Sequence, residues 1–227
     1  MQTTLVPRIK ICCIASVEEA AMAVAGGASA LGLVSAMPSG PGPISEGQIA
    51  EIAETIPPAI GSFLLTSRQD VDVIIKQQQR CRTNTIQLCD SLTRGTHADL
   101  KSALPGVSIV QVIHVTGPES VEEALAVAPM VDAILLDSGN PALAVKELGG
   151  TGRAHNWALS RKIREQVDVP VFLAGGLTAE DVVRAIEAVH PFGVDLCSGV
   201  RSNGILDAVK LARFFEAVAS VDSHPAR

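Results

Sequence analysis

The sequence is poor in aromatic residues and has no excess of positive charge. Its 227 residues include no tyrosine, five phenylalanines and one tryptophan, so aromatic platforms on which single-stranded bases stack are not expected. The 18 lysines and arginines are outnumbered by 24 acidic residues, which gives a formal charge of -6. We therefore expect neither nucleic acid nor an anionic membrane surface as a partner, because both need a basic face.

Long hydrophobic runs are also missing, although 47% of the residues are apolar. Gly26, Pro57, Pro129 and Asp132 interrupt the stretches that come nearest to the roughly 18 apolar residues of a membrane-spanning helix. The first seven residues lack the charged and apolar regions of a secretory signal. These absences predict a cytoplasmic protein with a sizeable core.

The cysteines fit neither a disulfide framework nor a zinc site. Their number is odd and, apart from one adjacent pair, they are widely spread: Cys12, Cys13, Cys81, Cys89 and Cys197. No two of them have the Cys-x-x-Cys spacing, and the histidines have no partnering cluster. We expect reduced thiols and no metal ion.

The sequence does contain a regular alternation of short apolar runs and helical patterns. The runs are residues 9–14, 30–34, 60–65, 85–88, 108–115, 133–136, 169–173 and 193–196. Eight such units without a break in composition predict an α/β fold, a single-domain (β/α)8 TIM barrel over residues 1–219 with a frayed tail at 220–227. The alternative is an open doubly wound sheet, which usually has fewer strands and, if it binds a dinucleotide, a Gly-x-Gly-x-x-Gly turn after the first strand.

Helix starts are marked by a hydroxyl residue followed three places later by an acid or amide. Such pairs can satisfy the free backbone N–H groups of a first turn. The pairs are Ser16 with Glu19, Ser45 with Gln48, Ser67 with Asp70, Thr116 with Glu119 and Thr178 with Asp181. We predict helix starts near residues 16, 45, 67, 93, 116, 155, 178 and 202, with an extended loop after the sixth strand.

In such a barrel the ligand lies at the carboxyl ends of the strands. Glycine-rich turns follow the last strands, and their backbone N–H groups can hold a phosphate without a lysine. The predicted phosphate-binding residues are Gly152, Gly175, Gly176, Ser198 and Gly199. The alternative is that these glycines only make tight turns.

An acid and a thiol stand at strand ends where a catalytic pair is expected. Asp137 ends the sixth strand after three aliphatic residues, where it can act as a general acid or base, or can simply form a turn. Cys12 ends the first strand, where a thiolate favoured by Lys10 can act as a base, although buried cysteine is more often inert. Candidate substrate contacts, with a structural role as the alternative, are Lys10 on the first strand and Asp90 and His114 at the ends of the fourth and fifth strands.

Several of these segments together resemble the phosphoribosylanthranilate isomerase family, in order and spacing, over nearly the whole chain. They are Lys10-Ile11-Cys12, Leu135-Leu136-Asp137, Gly149-Gly150-Thr151-Gly152-Arg153 with Trp157, Ala174-Gly175-Gly176-Leu177, and Gly193-Val194-Asp195 with Ser198-Gly199-Val200. The family is a (β/α)8 barrel of tryptophan biosynthesis. The resemblance implies Cys12 as base, Asp137 as acid, and phosphate held by the Gly175-Gly176 and Ser198-Gly199 turns. It also implies an Amadori rearrangement of a phosphorylated sugar that needs no cofactor.

The chain departs from the family pattern in its second loop. There the family carries an arginine that faces the anthranilate carboxylate, whereas residues 35–45 read SAMPSGPGPIS. Arg201 stands where the family usually has glutamate, so we hypothesise that Arg201, or else Arg153, contacts the non-phosphate end of the substrate; the alternative is a solvated arginine. Two other functions stay open: the same chemistry on a phosphoribosylated amine without the carboxylate, and a non-catalytic phosphosugar-binding barrel.

Overall fold

The computed structural model describes residues 6–223. Eight parallel strands in chain order form a closed barrel, and each strand is followed by a helix, so the predicted (β/α)8 barrel is confirmed. The strands are β1 (Arg8–Ile11), β2 (Ala30–Val34), β3 (Gly61–Thr66), β4 (Thr85–Leu88), β5 (Ser108–His114), β6 (Ala133–Asp137), β7 (Val171–Leu173) and β8 (Gly193–Leu196). The helices are α1 (Val17–Gly26), α2 (Glu46–Thr55), α3 (Val71–Cys81), α4 (His97–Ala103), α5 (Glu119–Val127), α6 (Trp157–Gln166), α7 (Val182–Val189) and α8 (Ala208–Ala219).

The barrel closes where β8 pairs with β1. Four residue pairs are in register there, and Lys10 lies opposite Asp195. The first strand is shorter than predicted, because it ends at Ile11 and not at Ile14. Cys12 still donates its backbone N–H to Leu196 at 2.8 Å, and the chain leaves the sheet at Cys13.

The apolar core has two layers. The larger layer packs aliphatic residues of the strands against the inward faces of the helices. The smaller one fills the barrel and includes Phe63 and Phe172, whose rings meet edge to face at 6.0 Å. This filling closes the lower end of the barrel, so only the carboxyl ends of the strands leave room for a ligand.

The helix starts confirm the predicted capping only in part. Ser45 and Gln48 form a complete capping box, and Ser16 caps α1. The third helix begins three residues later than predicted, because Asp70 and not Ser67 accepts the free N–H groups. The fourth begins after Thr96, which forms a capping box with Asp99.

The eighth unit differs most from its prediction. Where a helix start near 202 was expected, the chain forms a short hairpin of β9 (Arg201–Ser202) and β10 (Ile205–Leu206) before α8. At the other end of α8, residues Ser220–Ser223 continue as a 3-10 helix and Val221 packs against the core. The predicted frayed tail therefore does not begin at residue 220, and residues 224–227 lie outside the described part. Between residues 6 and 223, no helix combines the length and the apolar character that crossing a membrane requires.

Candidate active site

A cavity opens at the carboxyl ends of the strands, where the barrel fold predicts a ligand. Its lining comes from the carboxyl ends of seven strands, all except β5, and from the loops that follow them. The residues that matter below are Cys12, Cys13, Met37, Ser39, Pro41, Gln87, Asp137, Leu148, Gly149, Gly152, Gly175, Gly176, Asp195, Cys197 and Ser198. Cys12 and Asp137 therefore share one cavity.

Cys12 is buried at the first position after β1. An added Cβ at Gly32 of β2 would lie 2.8 Å from the Cys12 sulfur and 3.1 Å from the Lys10 nitrogen. A glycine is required there, because it leaves room for the thiol and the ammonium group side by side.

Three thiols lie together here, those of Cys12, Cys13 and Cys197. The Cys13 thiol is within hydrogen-bond range of the thiols of Cys12 and Cys197, and it also approaches the carbonyl of Pro41 at 3.6 Å. These thiol contacts and burial raise the pKa of Cys13, so Cys13 keeps its proton. The same contact with Cys13 lowers the pKa of Cys197. The single proton of the Cys13 thiol is donated to the Pro41 carbonyl oxygen, and the thiols of Cys12 and Cys197 lie next to it.

Asp137 ends β6 with its carboxyl group facing the cavity. One oxygen, Oδ1, accepts the backbone N–H of Ser138 at 2.7 Å. The other, Oδ2, would be 2.6 Å from a Cβ at Gly149, so only glycine lets the long sixth loop pass over it. The carboxyl group is held at one oxygen and faces the cavity with the other.

Three glycine-containing turns, those after β6, β7 and β8, meet at the cavity. A Cβ at Gly176 would be 2.7 Å from the carbonyl oxygen of Gly152, and one at Gly199 would be 2.1 Å from that of Leu177. The turns after β6, β7 and β8 therefore pack backbone against backbone. Gly152, Gly175, Gly176 and Ser198 line the cavity, whereas Gly199 does not and instead allows the close packing behind it.

Comparisons with known proteins identify the family of the chain. The family model described as N-(5'phosphoribosyl)anthranilate (PRA) isomerase matches residues 9–217. The chain belongs to this family. N-(5'-phosphoribosyl)anthranilate isomerase 2 of Methanosarcina mazei is 37% identical over 209 residues, covering 91% of this chain and 92% of the relative.

Solved structures of the family superpose on nearly the whole chain. The phosphoribosyl anthranilate isomerase of Thermus thermophilus matches with a TM-score of 0.78 and 26% identity, covering 94% of this chain and 99% of that one. A phosphoribosyl anthranilate isomerase in complex with reduced 1-(o-carboxyphenylamino)-1-deoxyribulose 5-phosphate matches with a TM-score of 0.76 and 25% identity, at the same coverage. That relative therefore binds a phosphorylated ligand in this fold.

Two predicted substrate contacts of this family member lie beneath the cavity and do not line it. Lys10 is fully buried and pairs with Asp195, with Nζ 2.9 Å from Oδ2. Burial opposes a charged lysine, but Asp195 and Cys12 outweigh it and raise the pKa of Lys10. His114 is buried and its Nε2 contacts the carbonyl of Cys89 at 3.0 Å. Both side chains support the floor of the cavity.

The other three predicted contacts lie beside the cavity. Asp90 pairs with Lys146 of the sixth loop at 2.5 Å and faces a neighbouring groove. Arg153 is exposed and pairs with Glu147. Arg201 is buried against backbone carbonyls and Glu19, so it is not solvated. Neither arginine belongs to the lining of the cavity, and the hypothesis that Arg201, or else Arg153, contacts the non-phosphate end of the substrate stays a prediction.

Two acceptors in the lining were missed by the sequence analysis. Within residues 6–223, Gln87 Oε1 and Asp195 Oδ1 are buried and have no hydrogen-bond partner. An unpaired buried acceptor is costly, which makes these atoms candidates for contacts with a ligand. Two sequence signals were available: Gln87 follows an isoleucine in a buried strand, and Asp195 is an acid inside an apolar one.

The remaining wall of the cavity is apolar. Met37 and Leu148 belong to it, and the second and sixth loops meet there through the Ser39 hydroxyl and the Lys146 carbonyl at 2.7 Å. Over the described range 6–223, the lining contains no lysine and no arginine. In this respect the chain differs from the family pattern, which has an arginine in the second loop.

Proposed function

We propose that this chain catalyses the Amadori rearrangement of N-(5-phosphoribosyl)anthranilate to the corresponding 1-amino-1-deoxyribulose 5-phosphate, a step of tryptophan biosynthesis. The observation that carries the proposal is the presence of a thiol and a carboxyl group, Cys12 and Asp137, in one cavity beside glycine turns. Membership of the isomerase family supports the same activity.

Each reacting group has a role that balances the reaction. Asp137 gives a proton to the ring oxygen, the C1–O bond breaks, and the nitrogen lone pair forms a C=N bond to C1. Cys12 as thiolate then removes the C2 proton, and the C–H electrons form a C1–C2 double bond while the nitrogen regains its pair. The enolamine becomes the ketone by proton return to C1 and loss of the C2 hydroxyl proton. Atoms and electrons are conserved within the substrate.

The glycine turns supply the anchor for this chemistry. The described lining holds no basic residue, so we assign the phosphate to the backbone N–H groups of the Gly175-Gly176 turn and of the short 3-10 helix that begins at Ser198. Gln87 and Asp195 are the acceptors available for sugar hydroxyl groups. A ligand held at both ends keeps C2 near the sulfur.

The test is an assay of the purified protein with phosphoribosylanthranilate, followed by the loss of its fluorescence. Cys12→Ser and Asp137→Asn should each lower kcat about 10²–10⁴-fold, because each removes a proton-transfer group. Cys81→Ser and Asp132→Asn are matched controls outside the cavity and should keep wild-type kcat. Turnover that survives in both catalytic variants would contradict the proposal.

A second candidate is the same rearrangement on an N-(5-phosphoribosyl)amine without a carboxylate. The specific observation in its favour is the apolar wall at Met37 and Leu148, with no guanidinium in the described lining. The discriminating experiment compares phosphoribosylanthranilate with phosphoribosylaniline. A kcat/KM for the aniline compound equal to or above that for the anthranilate would favour the second candidate, and a tenfold preference for the anthranilate would exclude it.

A further inference from the structure

The side chain of Arg201 reaches the backbone on which the catalytic thiol stands. It lies on the β9–β10 hairpin, is only 8% exposed, and points toward the loop after β1. Its Nη2 donates to the carbonyl oxygen of Cys13 at 2.5 Å and approaches that of Cys12 at 3.3 Å. Its Nη1 donates to the carbonyl of Gly204 in the hairpin turn at 2.9 Å. The guanidinium group thus joins two segments that are nearly 190 residues apart.

Glu19 holds this guanidinium in place. Its two oxygens accept from Nη1 and Nη2 of Arg201 at 2.9 and 3.0 Å, a fork-to-fork geometry. They also accept the backbone N–H of Ala15 at 3.0 Å and of Leu206 at 2.9 Å. Burial works against the Glu19 carboxylate, but Arg201 and these two amides outweigh it and lower its pKa. The pair therefore ties the β1–α1 loop to the hairpin from both sides.

The loop needs such support because its backbone is unfavourable. Cys13 has a φ of +62°, a region that residues with a Cβ avoid. A carbonyl that leaves the sheet at this point and is buried needs a donor, because an unsatisfied buried carbonyl is costly. Arg201 supplies that donor to the two residues that carry the thiols facing the cavity.

We propose that Arg201, held by Glu19, is a positioning residue that fixes the Cys12–Cys13 backbone so that the Cys12 thiol faces the substrate. The proposal rests on the proposed function, in which Cys12 is the base. Misplacement of a reacting group by about 1 Å costs on the order of 10²-fold in rate. The guanidinium group bonds to Glu19, Gly204, Cys12 and Cys13 and to none of the glycine turns at the cavity, so we expect binding to change little.

The test compares Arg201→Lys, Arg201→Gln and Glu19→Gln with the wild type. We expect kcat to fall about 10–100-fold in Arg201→Gln, less in Arg201→Lys, and KM to stay within about threefold. Arg164→Gln is the matched control, because Arg164 also donates to a backbone carbonyl, that of Val189, but far from the cavity. Its kcat should equal that of the wild type.

A second readout does not depend on the substrate. The rate at which iodoacetamide alkylates Cys12, located by fragment-ion mass spectrometry, should fall about tenfold in Arg201→Gln and stay unchanged in Arg164→Gln. If the wild type does not turn over phosphoribosylanthranilate, the proposed function fails, while the alkylation rates still decide the positioning role. If Arg201→Gln does not fold, Arg201→Lys and Glu19→Gln decide it.

The charge swap Glu19→Arg with Arg201→Glu separates positioning from simple ion pairing. It keeps an ion pair between the two segments but places a carboxylate, which cannot donate, against the carbonyls of Cys12 and Cys13. Positioning predicts that kcat stays low in the folded double variant. Recovery of wild-type kcat in the swap, or unchanged kcat and alkylation in folded Arg201→Gln, would overturn the proposal.

Discussion

The two sides of the cavity are built in different ways. On the phosphate side, which comprises the turns at 152, 175–176 and 198–199, backbone packs directly against backbone at glycines. On the thiol side, which comprises Cys12 and Cys13, the backbone carbonyls accept hydrogen bonds from Arg201, and the buried Lys10–Asp195 pair lies beside the Cys12 sulfur. The phosphate side therefore depends on the absence of side chains, whereas the thiol side depends on buried charges that must stay paired.

Substitutions on the two sides of the cavity should therefore have different effects. A steric change on the phosphate side moves the turns apart and weakens binding, because the N–H groups no longer converge. A change of charge on the thiol side leaves a partner buried without compensation, which costs stability or misplaces the base.

The largest effect is expected for Lys10→Met. Asp195 would remain buried without its ammonium partner, and such a loss costs about 3–5 kcal/mol in the free energy of unfolding. The double variant Lys10→Met with Asp195→Leu removes both charges and should recover most of that loss. Urea unfolding measures both quantities.

The control for this prediction is a pair at the surface. Lys101 and Asp132 are 2.8 Å apart and their side chains are 37% and 42% exposed, so Lys101→Met should cost less than about 1 kcal/mol. Equal losses in Lys10→Met and Lys101→Met would contradict the view that the thiol side depends on buried charge pairing.

The next effect is expected on the phosphate side, for Gly199→Ala. The φ of Gly199 lies outside the left-handed region, so the obstacle is steric: the new Cβ would lie 2.1 Å from the Leu177 carbonyl oxygen. The turns after β7 and β8 must separate, and KM should rise about 10–100-fold, equivalent to roughly 1.4–2.8 kcal/mol, with kcat changed much less.

Thermal stabilisation by inorganic phosphate provides an independent measurement. It should disappear in Gly199→Ala and persist in Gly47→Ala, whose Cβ has its nearest neighbour at 3.9 Å. If Gly199→Ala keeps the full stabilisation by phosphate, the turns do not bind the phosphoryl group.

Which features of the site could be predicted from the sequence depends on how far apart in the chain the interacting residues lie. The barrel, the glycine turns and the positions of Cys12 and Asp137 follow from local patterns, because strand periodicity and turn chemistry act over a few residues. The Arg201–Glu19 pair joins positions 182 residues apart, and its partners depend on where the barrel closes. Arg201 was therefore assigned to a ligand, and its structural partners were missed.

Some features that the sequence analysis did not predict have a local signal in the sequence. The dipeptide Asn203-Gly204 is a signature of a two-residue hairpin turn, and both residues have positive φ, so the hairpin that carries Arg201 was predictable. The late starts of α3 and α4 were also readable, since Asp70 and Thr96 are themselves good N-cap residues. For Gln87 and Asp195 the sequence shows only a polar residue in a buried strand; that one oxygen of each lacks a partner could not be predicted, because their neighbours come from other strands.

The smallest effect is expected for Gln87→Leu, at the floor between the two sides. Its Oε1 is buried without a partner, so replacement by leucine removes an unsatisfied acceptor and should leave stability unchanged or higher. If that acceptor receives a substrate hydroxyl group, KM should rise about three- to tenfold, close to the value of one hydrogen bond.

Gln111→Leu is the matched control, because Gln111 is a buried glutamine on β5 that bonds to the Leu88 carbonyl and to His97. It should lose stability and keep its KM, so a Gln87→Leu variant that behaves in the same way would place Gln87 in the scaffold and leave the sugar to other groups.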